Sequence, residues 1–366
     1  MQEDFHYYAT YCAAYLAGYS HKESMDICYS AQFVDLCSKT LLSKLKAPAQ
    51  AATTQLQLEM MDARTDIIGL QDITRIWASF HFLPKDLYAE RKKRTKRYMN
   101  KFRLICGPNG SLVTDTVKLA KDRPLMSVGI AMHVLADTWA HSNFAGTPSL
   151  VINNTVNDFI EILDKDGRQE ERKIHFRHNP SAPDDLEQGS FINSVFQRSE
   201  NSIMSLGHGR AGHLPDYSFI RYRYMPAWGE YSVIEKDNPS DYMHAFSQMI
   251  YAMQYLRGER DSFETGCYAD EVTGQYRERI DRILRERRLD ASDDWKELGS
   301  FLSGQNIEDF DIEKHQEEYM NAPDSDKENT WLGQFFKGAI AHKGMVCDRI
   351  FRSGNILAGF VKGENI

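Results

Sequence analysis

The sequence predicts a mainly α-helical protein, a multi-helix bundle with one small inserted β-hairpin and extra helices towards its C-terminal end. Three observations carry this. Most of the chain parses into capped or amphipathic helical runs. Strand-like runs around a turn occur in one place, residues 151–179. The residues with metal-binding chemistry fall on separate, mostly helical segments, as where the helices of a bundle each send one or two ligands inward.

In order, residues 5–17 are aromatic and small and read as a buried helix, with His6 in its first turn and Gly18 as its stop. Ser20 with Glu23 forms a capping box for a second helix running to about Leu45, before Pro48. Asp35 falls mid-helix among Phe33, Val34, Leu36 and Cys37. A carboxylate there either has a partner or sits on a solvent-facing turn. Residues 50–66 read as polar helix or loop. Residues 74–84, TRIWASFHFLP, are aromatic-rich and carry His81 near their end. A lone histidine in that setting is more often packing than a ligand. Residues 85–103 are basic, with Arg91, Lys92, Lys93, Arg94, Lys96 and Arg97. They read as a solvated helical face, the sharper alternative being a rim that attracts an anionic substrate or a lipid headgroup.

Residues 128–146, VGIAMHVLADTWAHSNFAG, are the centre of the reading. His133, Asp137 and His141 follow one another at intervals of four. Four helical residues advance about 400°, so the three side chains share an arc of roughly 80°. Val128, Ala131, Met132, Leu135 and Trp139 lie opposite, facing a core. His133 and His141 are about 12 Å apart along the axis, too far for one ion to sit between both. Asp137, midway, can share its two oxygens. The row therefore predicts more than one metal, whereas a solvated polar face would account for one histidine alone.

Beyond it, VINNTVNDFIEIL and RKIHFRH flank Asp164, Lys165, Asp166 and Gly167 and predict the hairpin. Residues 180–185 read as loop. His208, His213 and Asp216 stand among glycines in LGHGRAGHLPDYSFIRYRY, where backbone can approach a bound centre closely. Arg210 is a candidate for a phosphate oxygen. Helices are predicted at 241–257 (with His244), 273–288, 292–303, 308–321 and 328 to about 352, with 321–329 as a polar joint. The organisation expected is a metal-binding helical domain over 1–260, its insertion at about 150–185, and a helical extension over 261–366 packed on it.

Composition narrows the function. With 44 Lys and Arg against 52 Asp and Glu, the net charge is −8, which gives nucleic-acid binding no support. No apolar run approaches the ~18 residues of a membrane span. Met1 is followed by Gln2, Glu3 and Asp4 where a secretory signal would be basic and then apolar, so the expected compartment is cytoplasmic. The six cysteines form no C-x-x-C pair and read as buried, reduced thiols. Imidazole and carboxylate without thiolate suit Zn²⁺, with iron and manganese as alternatives. An adjacent His-Asp dyad, a pair of Glu-x-x-His motifs, a nucleophile elbow, a phosphate-binding loop and a dinucleotide fingerprint are all missing.

HVLADTWAHSNF, from His133 to Phe144, resembles the signature of the zinc-dependent phospholipase C and P1-type nuclease superfamily, and its H-x-x-x-D-x-x-x-H-S-N spacing is closer to the Het-C-like branch. The order His6, Asp35, His81 and then the central row is similar too, and the N-terminal MQEDFHYYATYCAAYLAGYS resembles an uncharacterised bacterial family in this group. The resemblance spans residues 1–146 and, loosely, 200–220. It implies an all-α fold holding two or three zinc ions. Asp35, His81, His133 and Asp137 would hold one. His6 and Asp137 would hold a second, with the amine and carbonyl of Met1. His141 would begin a third. The superfamily's phospholipase branch completes that site with His-x-x-x-Glu, which this chain lacks; His208, His213 and Asp216 take its place here.

The function expected is a zinc-dependent phosphoesterase in which a metal-bridging hydroxide attacks phosphorus, with Asp35, Asp137 and Arg210 as its catalytic residues. Its partner would be a phosphate ester: lipid, nucleotide or other. The alternatives are a non-catalytic metal-binding or interaction protein that retains the fold, and a metal-dependent hydrolase of other substrates.

Overall fold

The computed structural model describes residues 1–155, 159–165, 167–177, 183–193 and 205–359. It is mainly α-helical with a small β insertion. A π-helical turn, Asp4–Ala9, leads into α1 (Thr10–Leu16), and Gly18 ends the run in the left-handed region at φ +94°. Then α2 (His21–Phe33) begins on the predicted capping box. Glu23 N donates to Ser20 Oγ at 3.3 Å, and Ser20 N donates to Glu23 Oε2 at 2.8 Å.

The helix expected to reach Leu45 is broken. Asp35 N and Leu36 N turn back three residues, to Gln32 O and Phe33 O. Ser38 then caps a fresh helix, α3 (Lys39–Leu45), by accepting from Leu41 N at 3.2 Å. A serine that offers its own oxygen competes with helix continuation, and the break carries Asp35 off the helix into a turn.

Next come α4 (Gln57–Ala63) and α5 (Ile67–Phe80), the latter ending on His81. The basic segment is irregular up to Thr95, which caps the short α6 (Lys96–Phe102); Lys93 at φ +58° is incompatible with an unbroken helical face there. α7 (Ser111–Ala120) and α8 (Leu125–Ala140) follow. Every residue from Met126 to Ala140 is buried, so α8 is a central helix without a solvent face. It packs chiefly on α2. At Gly129 an added Cβ would lie 2.4 Å from Ile27 O and 2.5 Å from Ser30 Cβ, so only glycine lets the two helices close to this distance.

The predicted hairpin region opens with a short helix, α9 (Leu150–Asn153). The hairpin itself is β1 (Ile160–Lys165) and β2 (Arg168–Lys173), antiparallel, closing at Lys165↔Arg168. Residues 156–158, Asp166 and residues 178–182 of the predicted hairpin and loop lie outside the described residues. The insertion is larger than expected. After a parallel pair, β3 (His175–Arg177) and β4 (Ser190–Ile192), two later strands, β5 (Arg221–Tyr224) and β6 (Ile234–Asp237), join to give an antiparallel sheet of order β2-β1-β5-β6. RYRY alternates with every second side chain buried, which is a strand period rather than a helical one. This sheet covers its own aromatic core, which includes Phe82, Phe144, Phe159, Tyr222 and Tyr224.

The rest is helical: α10 (Asn238–Leu256), α11 (Asp270–Thr273), α12 (Arg277–Arg285), α13 (Ser292–Ser303), α14 (Gln316–Asn321) and α15 (Trp331–Arg352). Two predicted helices shrink. Residues 273–288 supply a 3₁₀ turn, Gly274–Tyr276, and the shorter α12, and 308–321 supply α14 alone, because residues 308–315 are irregular up to a turn ending at His315, φ +72°. One hydrophobic cluster runs from Met1 to Ala358 and includes α13 and α15, so the C-terminal helices share the core of the first half. The buried Glu161 of β1 pairs with Arg172 at 2.5 Å and with Arg287 at 2.6 Å, tying the sheet to the segment after α12. α15 packs on α8, and the residues behind it grip α5, where Arg75 Nε donates to Ala358 O at 2.5 Å. Among the described residues, no helix is long and apolar enough to cross a membrane.

Two predictions follow from this packing. Gly129→Ala lowers stability by about 1–3 kcal/mol despite alanine's better helix propensity, because its methyl has no room. Urea unfolding checks this, and an unchanged midpoint contradicts it. His342, buried on α15, has Nε2 3.0 Å from Thr116 Oγ1, while its Nδ1 has no partner. Burial and then His133 push its pKa down from 6.5 to about 3. The fold holds the ring neutral and the unfolded chain protonates it. This contribution is therefore fully present above about pH 6.5 and is lost as pH falls towards about 3. In unfolding free energies measured at stepped pH, His342→Met makes that acid limb shallower.

Candidate metal centre

The residues singled out in the sequence converge beside α8. His133 and Asp137 project from α8, and His141 is its C-terminal cap. His6 lies in the π-helical turn, a wider coil than the α-helix and one common at functional sites. Asp35 stands in the turn after α2, and His81 caps the end of α5. His208 and Asp216 come from the glycine-rich segment. Three groups form: His6, His133 and Asp137; Asp35, His81 and His133; and His141, His208 and Asp216. Within each, one ligand atom per residue lies within 4.8 Å of the others.

Asp137 is divided between them. Its Oδ1 is 3.1 Å from His6 Nε2 and 2.9 Å from the Met1 amine. Its Oδ2 is 3.3 Å from His81 Nδ1 and 3.2 Å from His133 Nε2. The Met1 amine is also 3.2 Å from His141 Nε2 and 3.4 Å from Asp216 Oδ1, between the first group and the third. Asp35 Oδ1 is 3.7 Å from His81 Nδ1 and 3.9 Å from His133 Nε2. Its side chain is 30% exposed, against near-complete burial of Asp137, so the second group opens to solvent on the Asp35 side.

The rings are held by their far nitrogens. His133 Nδ1 donates to Ala31 O at 2.9 Å and His81 Nε2 to Thr53 O at 3.0 Å. His141 Nδ1 donates to His81 O at 2.8 Å and His208 Nδ1 to Gly212 O at 2.8 Å. A carbonyl only accepts, so in each neutral ring the opposite nitrogen carries a lone pair aimed into the cluster. His81 Nδ1 and His133 Nε2 thus face each other across 3.3 Å with lone pairs on both sides. That contact is unfavourable between two neutral rings alone and favourable around a cation. The donor set, imidazole nitrogens and carboxylate oxygens with fixed tautomers, fits a metal ion.

The electrostatics agree. Burial alone would raise the Asp137 carboxyl, but His141, the N-terminal ammonium, His133 and His6 outweigh it and hold it well below the carboxylate range. Asp216 is likewise held low against its burial, by its contacts with His208, the ammonium, His141 and His213. Burial, with His133 and the ammonium, pushes His6 down to about 3, and burial pushes His208 down to about 4 although Asp216 opposes it, so both rings are neutral. For the Met1 amine, burial works downwards, yet Asp137, Asp216 and Asp35 carry it up to about 11. An ammonium drawn in this way marks a place where the chain concentrates negative charge.

Two of the sequence candidates stand apart. His213, its side chain 57% exposed, lies outside all three groups and has Nδ1 3.3 Å from Asp216 Oδ2, where it orients that carboxylate. Arg210 is half-buried in the same turn, and burial draws its pKa down. Sequence reasoning missed the carbonyls of Ala31, Thr53, His81 and Gly212, because a backbone acceptor has no residue signature. The Phe82 ring stacks on His141, with centroids 4.9 Å apart.

If these groups hold metal, Zn²⁺ at a hundred times its dissociation constant raises the stability of chelator-treated protein by about 2.7 kcal/mol per site. His133→Ala, which strips a ligand from two groups, removes most of the gain. Thermal unfolding with and without Zn²⁺ measures both, and an unmoved transition in the parent contradicts metal binding.

No curated protein and no solved structure matches the chain. Residues 1–350 match a family of unknown function (DUF6765), and the chain belongs to that family.

Proposed function

We propose that this protein is a metal-dependent phosphoesterase, with Zn²⁺ as the best match to its donors. The observation that carries the reading is Asp137, a buried carboxylate with its two oxygens directed to different ligand groups, beside imidazoles whose lone pairs converge. The resemblance of HVLADTWAHSNF to the zinc-dependent phospholipase C and P1-type nuclease superfamily supports it. Asp35, His81, His133 and Asp137 would hold one ion. Met1, its amine giving up a proton on binding, would hold a second with His6 and Asp137, and His141, His208 and Asp216 a third. Such ions make water acidic enough to ionise near neutral pH and accept charge from phosphoryl oxygens.

The chain's own residues do the rest. Asp35, on the open side, sits where a phosphate ester enters and orients water towards it. Asp137 keeps neighbouring groups at a fixed separation. The carbonyls of Ala31, Thr53 and His81 hold the rings in the tautomer that presents a lone pair. Arg210 binds a phosphoryl oxygen of the substrate, and His213 holds Asp216 in place.

The test is metal content per chain, by plasma mass spectrometry on untagged protein purified without chelator, followed by turnover of a panel of phosphodiesters. Two or three ions with turnover support the reading. Asp35→Asn then lowers turnover by roughly two orders of magnitude while far-ultraviolet circular dichroism stays unchanged. Bound metal with no turnover on any ester would make the protein a metal-binding module, the competing reading.

A further inference from the structure

A second feature stands apart from the metal centre and is independent of it. From Arg91 to Thr114 the chain contains no acidic residue, in a protein whose net charge is −8. Lys92, Lys93, Lys96 and Arg97 are exposed and have no carboxylate partner among the described residues. The neighbouring turn, residues 228–233, is fastened to this segment. Arg94 Nη2 meets Glu230 Oε1 at 2.5 Å, and Arg91 donates to Trp228 O while its guanidinium lies 5.0 Å over the Phe102 ring.

That turn is strained. Glu230 and Tyr231 are consecutive non-glycine residues in the left-handed region, at φ +52° and +71°, and Lys93 across the clamp is at +58°. Side chains there cost of order 1 kcal/mol or more each, and persist where the surroundings impose them. The outcome is the exposure of Tyr231 (86%), with Val233 and, in the basic segment, Tyr88 also open to solvent. An aromatic and an aliphatic side chain held outwards beside unpaired lysines have the makeup of a membrane-interface contact: apolar groups enter the headgroup boundary and lysines meet anionic headgroups.

We propose that the face formed by Tyr88, residues 91–97 and residues 230–233 docks on the surface of an anionic lipid bilayer. A bilayer meets one face only. A long polyanion would have to run on across a surface where 52 acidic residues outnumber 44 basic ones. Val233 adds nothing to base stacking but does add to insertion.

The experiment is co-sedimentation of the full chain with vesicles of phosphatidylcholine alone and of phosphatidylcholine with phosphatidylserine in equal amounts, at low and high salt. The expected result is binding to the mixed vesicles only, released by salt. A Lys92→Glu, Lys93→Glu, Lys96→Glu triple variant weakens binding by a hundredfold or more, at roughly fivefold for each lysine lost. Tyr231→Ser weakens it with no change in salt dependence. All four positions are exposed, so the melting temperature stays that of the parent and a folding defect is told apart. Equal binding to neutral vesicles, or no binding to either, overturns the proposal. So does salt-sensitive, lysine-dependent binding to single-stranded nucleic acid without vesicle binding. Phosphoesterase activity enters none of these readouts.

Discussion

A single buried carboxylate organises this molecule. Asp137 sits in the middle of a helix with no solvent face, and burying an unpaired carboxylate costs several kcal/mol. The Met1 ammonium beside it offsets part of that cost. His6 and the Met1 amine approach one oxygen, and His81 and His133 the other. Those partners arrive from the chain's first turn, from the end of α5 and from α8 itself. The close packing of α2 on α8 at Gly129 brings the Ala31 carbonyl and the Asp35 turn to the same place. The helix arrangement and the site are therefore one construction, since the packing that buries Asp137 delivers its partners.

The central helix and its ligand row were legible because both are periodic. Intervals of four place His133, Asp137 and His141 together on any α-helix. The capping box at Ser20 and the helix over 292–303 were legible because caps and amphipathic spacing are local signals. The break at Asp35 was not. It depends on Ser38 preferring the role of a cap to that of a helix interior, a contest between two acceptable local structures. The sheet was half legible. Its hairpin partners are adjacent in sequence, but β5 pairs with β1 across some sixty residues, and nothing local encodes that. In the site, residue types pointed to the ligands, whereas the carbonyls fixing their tautomers are visible only once the chain is folded.

The C-terminal third, which the superfamily resemblance does not cover, is part of the same core. α13 packs against the π-helical turn that carries His6, and α15 against α8 and α5, which carry His133, Asp137 and His81. Glu161, held between Arg172 and Arg287, adds a buried ionic tie from the sheet to the same region. These late helices act on the ligands by holding the segments that bear them.

That arrangement has a consequence for biogenesis. The π-helical turn with His6 is synthesised some three hundred residues before the helix that supports it, and the grip of Ala358 on Arg75 comes later still. A nascent chain can build α1 and α2 early, yet it has no complete cage to offer until α15 has been made. The groups around Asp137 are therefore among the last parts of the fold to be completed.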